Sequence, residues 1–98
     1  MIVDHSPAAG LRLLEPDDVR GFKLRLSGHA ESRPAIAGIR FVDDGNVLIG
    51  VDLVPALPGA PDTAEWREAY RAMVAYAAGK GWVDDASNAI RAHVERRP

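Results

Sequence analysis

The segment Gly28-His-Ala-Glu-Ser-Arg33 brings an imidazole, a carboxylate, a hydroxyl and a guanidinium within a few residues of one another. His29 is a candidate general base, with Glu31 or Arg33 orienting a substrate, which is the division of roles that proton-transfer catalysis needs. The competing reading is a solvated connector of ordinary polar composition, and the residues leave both open. Further on, Arg91, His93 and Glu95 alternate with Ile90, Ala92 and Val94. On a strand, Arg91 and His93 project together as an anion-binding strip; on a helix they diverge. Tyr76 and Trp82 flank a Gly-Lys-Gly turn and form a further binding candidate, an aromatic pair able to meet a ligand or a second subunit.

Other chemistry finds less support. Three Asp-Asp pairs, at 17–18, 43–44 and 84–85, could offer oxygen ligands to a hard cation. Adjacent residues point apart on regular elements, however, and each pair falls where a turn or helix start favours Asp. His5, His29 and His93 are too scattered for a helical metal-binding motif, so no metal site is expected. None of the serines lies in the Gly-x-Ser-x-Gly setting of a nucleophile elbow. The absence of cysteine excludes disulfides, zinc ribbons and thiol catalysis.

With 98 residues, 47% of them hydrophobic, and a formal net charge of -2, the chain suits one small globular domain spanning 1–98. A weakly acidic balance lacks the electrostatic footprint of a nucleic-acid binder. No stretch is long and apolar enough for a membrane span, and the first residues lack the basic flank of a signal peptide. A cytoplasmic protein is expected, and the Arg-over-Lys usage suggests a bacterial source.

These candidates must be held by a few elements. The alternation from Ile36 to Leu53, interrupted by Asp43-Asp44-Gly45-Asn46, predicts a β-hairpin, since these turn residues tolerate positive φ and bond their own backbone. Phe22, Leu24 and Leu26 alternate with Lys23 and Arg25 as another strand, and Leu11, Leu13 and Leu14 form a short apolar run. Residues 1–10 read as a loosely held arm. Pro55, Pro58 and Pro61 make 55–61 a linker, because proline excludes helix interiors and central strands. Asp62 or Thr63 can then cap a helix whose stripe is Trp66, Tyr70, Met73 and Ala77, closed by Gly79 and Gly81. Residues 84–96 fit either a helix or a strand, and the order of charges, acidic first and basic last, favours the helix.

The expected fold is therefore α+β: an antiparallel meander of three or four strands packed by one long helix over 62–79, plus a C-terminal helix or strand over 84–96. Leu11-Arg-Leu-Leu-Glu-Pro-Asp-Asp18 followed by the hairpin resembles the opening of GNAT-type acetyltransferases. The family's glycine-rich pyrophosphate turn has no counterpart in Pro55-Ala-Leu-Pro-Gly-Ala-Pro61, the elements are too closely spaced, and the activity is not carried over. The function expected is a non-enzymatic interaction or accessory module, working without a cofactor and as a homodimer or with a protein partner, but with neither nucleic acid nor membrane. The smooth alanine side of the helix, at 72, 75 and 78, is the reason for expecting a homodimer. The alternative is a small cofactor-independent enzyme working at His29.

Overall fold

The structure, a computed structural model, describes residues 1–98. Seven strands and one helix follow in the order β1 (Ile2–Ser6), β2 (Gly10–Leu14), β3 (Lys23–Ser27), β4 (Ile39–Asp43), β5 (Asn46–Gly50), α1 (Ala64–Gly79), β6 (Val83–Asp84) and β7 (Ala89–Arg97). The sheet order is β2-β1-β3-β7-β5-β4, with β6 paired to β7 off this path. This corrects the expected meander of three or four antiparallel strands. The sheet is larger, and it is mixed, because β3 runs parallel to both β1 and β7.

Two segments owe their structure to distant partners. Residues 2–6 are no loose arm: they pair with β2 on one side and β3 on the other. Ile2, Val3 and Asp4 are all buried, so this strand shows no apolar–polar alternation that a period-two reading could find. Residues 89–97 form a strand, not the helix that the charge order favoured. Asp84 accepts a hydrogen bond from the Ser87 hydroxyl and Asn88 takes a left-handed conformation at φ 49°, so 85–88 closes a hairpin instead of starting a helix. Alternation then places Ile90 and Ala92 on the core side, with Arg91 and His93 opposite.

The local signals held where they were strong. The β4–β5 hairpin turns on Asp43, whose Oδ1 accepts from the Gly45 amide at 2.8 Å and from Asn46 Nδ2 at 3.0 Å. Thr63 caps α1, its hydroxyl accepting from the Trp66 amide at 3.1 Å. Trp66, Tyr70 and Ala77 are buried against Val3, Leu13, Leu24, Leu26, Val47, Ile49, Ile90 and Ala92. The polar ends of the two aromatic residues are satisfied: Trp66 Nε1 donates to the Pro16 carbonyl at 2.9 Å and the Tyr70 hydroxyl to that of Val51 at 2.7 Å. Burial, with a smaller contribution from Asp52, pushes the Tyr70 phenol well above its usual range. No helix is long and apolar enough to cross a membrane.

The proline-rich stretch is more than a linker. It carries one 3-10 turn, Val54–Ala56, and buries Val54 and Leu57. The Leu13 amide donates to the Pro58 carbonyl at 2.7 Å, which covers the outer edge of β2. This approach requires Gly59, at φ 95°, where an added Cβ would lie 2.2 Å from the Leu13 carbonyl oxygen. Gly59→Ala should therefore destabilise the fold by about 2–3 kcal/mol or more, read by denaturant unfolding; a loss no greater than that at Gly10, which has an open surround, would refute the contact.

The sheet face away from α1 is ionic. In cross-strand register Arg12, Asp4, Arg25 and Glu95 follow one another across four strands, with alternating sign. Buried Asp4 accepts from Arg12 Nε at 2.9 Å, and Glu95 accepts from Lys23 Nζ at 2.9 Å and Arg25 Nε at 2.6 Å. The hydrogen bonds from Lys23 and then Arg25 hold the Glu95 carboxyl at about 2, from an ordinary 4.5. A depressed carboxylate contributes stability that is whole above the ordinary value and lost as pH falls through about 2. Glu95→Gln should accordingly flatten the acid limb of the stability curve below about pH 4.5, measured by thermal unfolding across that window.

Candidate functional site

A cleft of about 1090 Å³ opens where the sheet is incomplete. Along one edge of β7, β6 pairs with Ala89 and Ile90, and β3 takes over only at His93. Arg91 and Ala92 have no strand partner on that edge, although β5 pairs with both from the other side. The interruption follows from sequence. Gly81-Trp82 ends the helix connection just before β6, whereas β3 arrives from the 15–22 loop in the opposite direction. A notch in a sheet edge admits side chains from both faces, and the cleft is lined by Ile90 and Ala92 from one face and Arg91 and His93 from the other.

Three further walls complete it. Helix α1 supplies Ala69, Ala72, Met73, Tyr76 and Ala77; the loop before β3 supplies Val19, Arg20 and Phe22; Trp82 and Asn46 complete the lining. Ten of the fourteen lining residues are hydrophobic, a composition typical of ligand sites. Tyr76 and Trp82 meet edge to face with centroids 6.3 Å apart, and the Lys80 ammonium lies 5.5 Å from the Tyr76 ring centroid. All four binding candidates from sequence, Tyr76, Trp82, Arg91 and His93, thus border one cavity. From sequence the remaining lining residues were named only as core, strand or helix-surface positions, or not at all. Val19, next to Asp17-Asp18, looks like turn filler, and only the fold reveals that it lines the same cavity as the helix alanines.

The catalytic candidates do not assemble. No hydrogen bond or ion pair joins any two of His29, Glu31 and Arg33: Arg33 Nε donates to Asp44 Oδ1 at 2.7 Å, and Glu31 is exposed. His29 instead meets His5, a partner 24 residues away that no local pattern joins to it. Their rings stack with centroids 4.9 Å apart, and neither is among the residues lining the cleft. The His29 Nε2 lies 3.2 Å from the His5 carbonyl oxygen and 2.9 Å from His5 Nδ1. A carbonyl only accepts, so His29 Nε2–H is assigned as donor to both, and His5 Nδ1 must be unprotonated. Burial and then the neighbouring His29 lower the His5 pKa, which agrees with this assignment. The Asp-Asp pairs have turn roles: Asp18 Oδ1 accepts from the Arg20 amide at 3.1 Å, alongside the Asp43 and Asp84 bonds already described.

No family model, curated protein or solved structure matches the chain.

The histidine pair makes stability depend on pH. His5 binds a proton more weakly folded than unfolded, so its contribution is whole above the ordinary histidine value of about 6.5 and is lost as pH falls below it. Thermal midpoints recorded from pH 8 down to pH 5 should fall in that window for the parent chain. They should fall less for His5→Gln, and His29→Ala should lose about 1 kcal/mol at neutral pH. Parallel curves for parent and His5→Gln would dismiss the assignment.

Proposed function

We propose that the chain is a non-enzymatic binding module whose working site is the cleft between α1 and the β7 edge. One observation carries the reading. Of the four large hydrophobic side chains that remain exposed, three, Val19 (41%), Tyr76 (63%) and Trp82 (48%), line this cavity. Exposed apolar residues scattered singly are ordinary, but their concentration around one concavity marks a binding surface.

A small ligand fits this surface better than a second copy of the chain. The alanine side of α1, which supports the homodimer expectation, is partly taken up by the cleft, since Ala72 lines it. The enzymatic alternative at His29 has weaker support, because its imidazole is engaged by His5 and neither Glu31 nor Arg33 contacts it.

Screening a mixture of small metabolite-like compounds by amide chemical shifts tests the reading. Shifts should gather on Val19, Phe22, Met73, Trp82 and Ala92. Ala72→Trp, which fills the mouth from an exposed helix position, should weaken binding at least about tenfold, with stability changed by no more than about 0.5 kcal/mol. Shifts centred on His5 and His29 would overturn the assignment and restore the enzyme reading.

A further inference from the structure

We infer that the cleft selects a small amphipathic anion: an apolar body bearing one carboxylate or phosphate group. This deepens the cleft reading above and rests on it. The distribution of unpaired charge carries the inference. Every arginine but two has its guanidinium engaged. Arg12, Arg25, Arg33, Arg40, Arg67, Arg71 and Arg97 form ion pairs, and Arg96 donates to the carbonyls of Ser32 and Asp44. The two left over are Arg20 and Arg91, and both line the cleft. His93 joins them there, whereas no aspartate or glutamate does.

The nearest carboxylates do not fill that role. Asp18 is held below its ordinary range first by the Arg20 backbone amide, then by the terminal ammonium, and least by the Arg20 charge. Asp43 is lowered first by the Asn46 side chain, then by the Gly45 amide, and least by Arg91. Both are therefore engaged in their own turns, and neither borders the cavity. Two exposed arginines on separate elements, the 15–22 loop and β7, thus line one largely apolar space that has no carboxylate in its lining.

This arrangement discriminates by charge. A guanidinium presents a planar fork of donors that matches a carboxylate or phosphate, and such charge-assisted bonds are stronger than neutral ones. A neutral guest of the same shape would bury the walls without gaining those bonds, and a cationic one would also meet like charge. The volume, about 1090 Å³, lies just above the range of about 300–1,000 Å³ usual for small-molecule sites. It leaves room for a medium-length chain along Phe22, Met73, Tyr76 and Trp82.

Decanoate, decyl phosphate, decanol and decyltrimethylammonium, each below its micelle concentration, test the proposal on the full chain. Trp82 is the optical reporter, because Trp66 is already buried and hydrogen-bonded. Binding should shift Trp82 emission to the blue, with calorimetry as a second readout. Both anions should bind about tenfold more tightly than decanol, and the cation most weakly. The tighter of the two anions identifies the head group. In the Arg20→Gln/Arg91→Gln double variant the anions should fall to the decanol level, with the thermal midpoint unchanged. Decanol binding as tightly as decanoate, or a double variant that keeps the anion preference, would sink the charge inference and leave the cleft reading standing. If none of the four probes shifts the emission or releases heat, both fall together.

Discussion

Strand β7 has to satisfy three neighbours at once, and the rest of the molecule is arranged by how it does so. The first five of its nine residues, 89–93, pair with β5 along one edge, while the other edge is divided between β6 near its start and β3 from His93 onward. An antiparallel and a parallel partner approach that edge from opposite directions and cannot merge into one ladder. A gap at Arg91–Ala92 is the consequence. The gap does not unravel the sheet, because β5 pairs with both residues from behind. The Arg91 amide also donates to the Trp82 carbonyl at 2.7 Å, which pins the rim of the notch to β7.

Charge is sorted by the same geometry. Where strands lie side by side without interruption, cross-strand neighbours neutralise one another, as in the row from Arg12 to Glu95. Asp4 can be buried only because Arg12 reaches it, since an unpaired carboxylate at that depth would cost several kcal/mol. At the notch the cross-strand neighbour is missing, and Arg91 has no opposite charge beside it on that side. The unpaired arginine and the apolar hollow thus share one cause, the break in pairing.

How much of this the sequence disclosed depended on the range of the interactions involved. The hairpin and the capped helix were legible because their signals are local: Asp43 to Asn46 bond among themselves, and Thr63 bonds Trp66 three residues on. Strand β1 was not, because both of its faces are buried and its two partners include a parallel one, which no short turn announces. For β7 the alternation was visible, but Arg96 and Arg97 mimicked a helix terminus; in the fold Arg97 pairs with Glu95, and Arg96 reaches the 32 and 44 carbonyls. The GNAT-like opening went no further, since its leucine-rich run is here an edge strand covered by the proline segment. Of the site, Tyr76, Trp82, Arg91 and His93 were named from their types. That they surround one space with Arg20 was beyond reach, because it depends on where β3 begins beside β7.

The hollow stays open for a reason that also prepares it. The residues facing it from α1 and β7 include Ala69, Ala72, Ala77 and Ala92, side chains too short to fill the space between helix and strand edge. Longer side chains stand at the rim, where Trp82 abuts Tyr76 edge to face and Lys80 lies over the same ring. An aromatic wall already braced by its neighbours loses little conformational freedom when something settles against it, which lowers the ordering cost of binding. Left empty, the same wall exposes apolar surface at roughly 25 cal/mol per Å². A fold of this size could have covered that surface with larger residues at the alanine positions. Small side chains within and stiff aromatic ones around them make the notch a standing concavity, formed before any partner arrives.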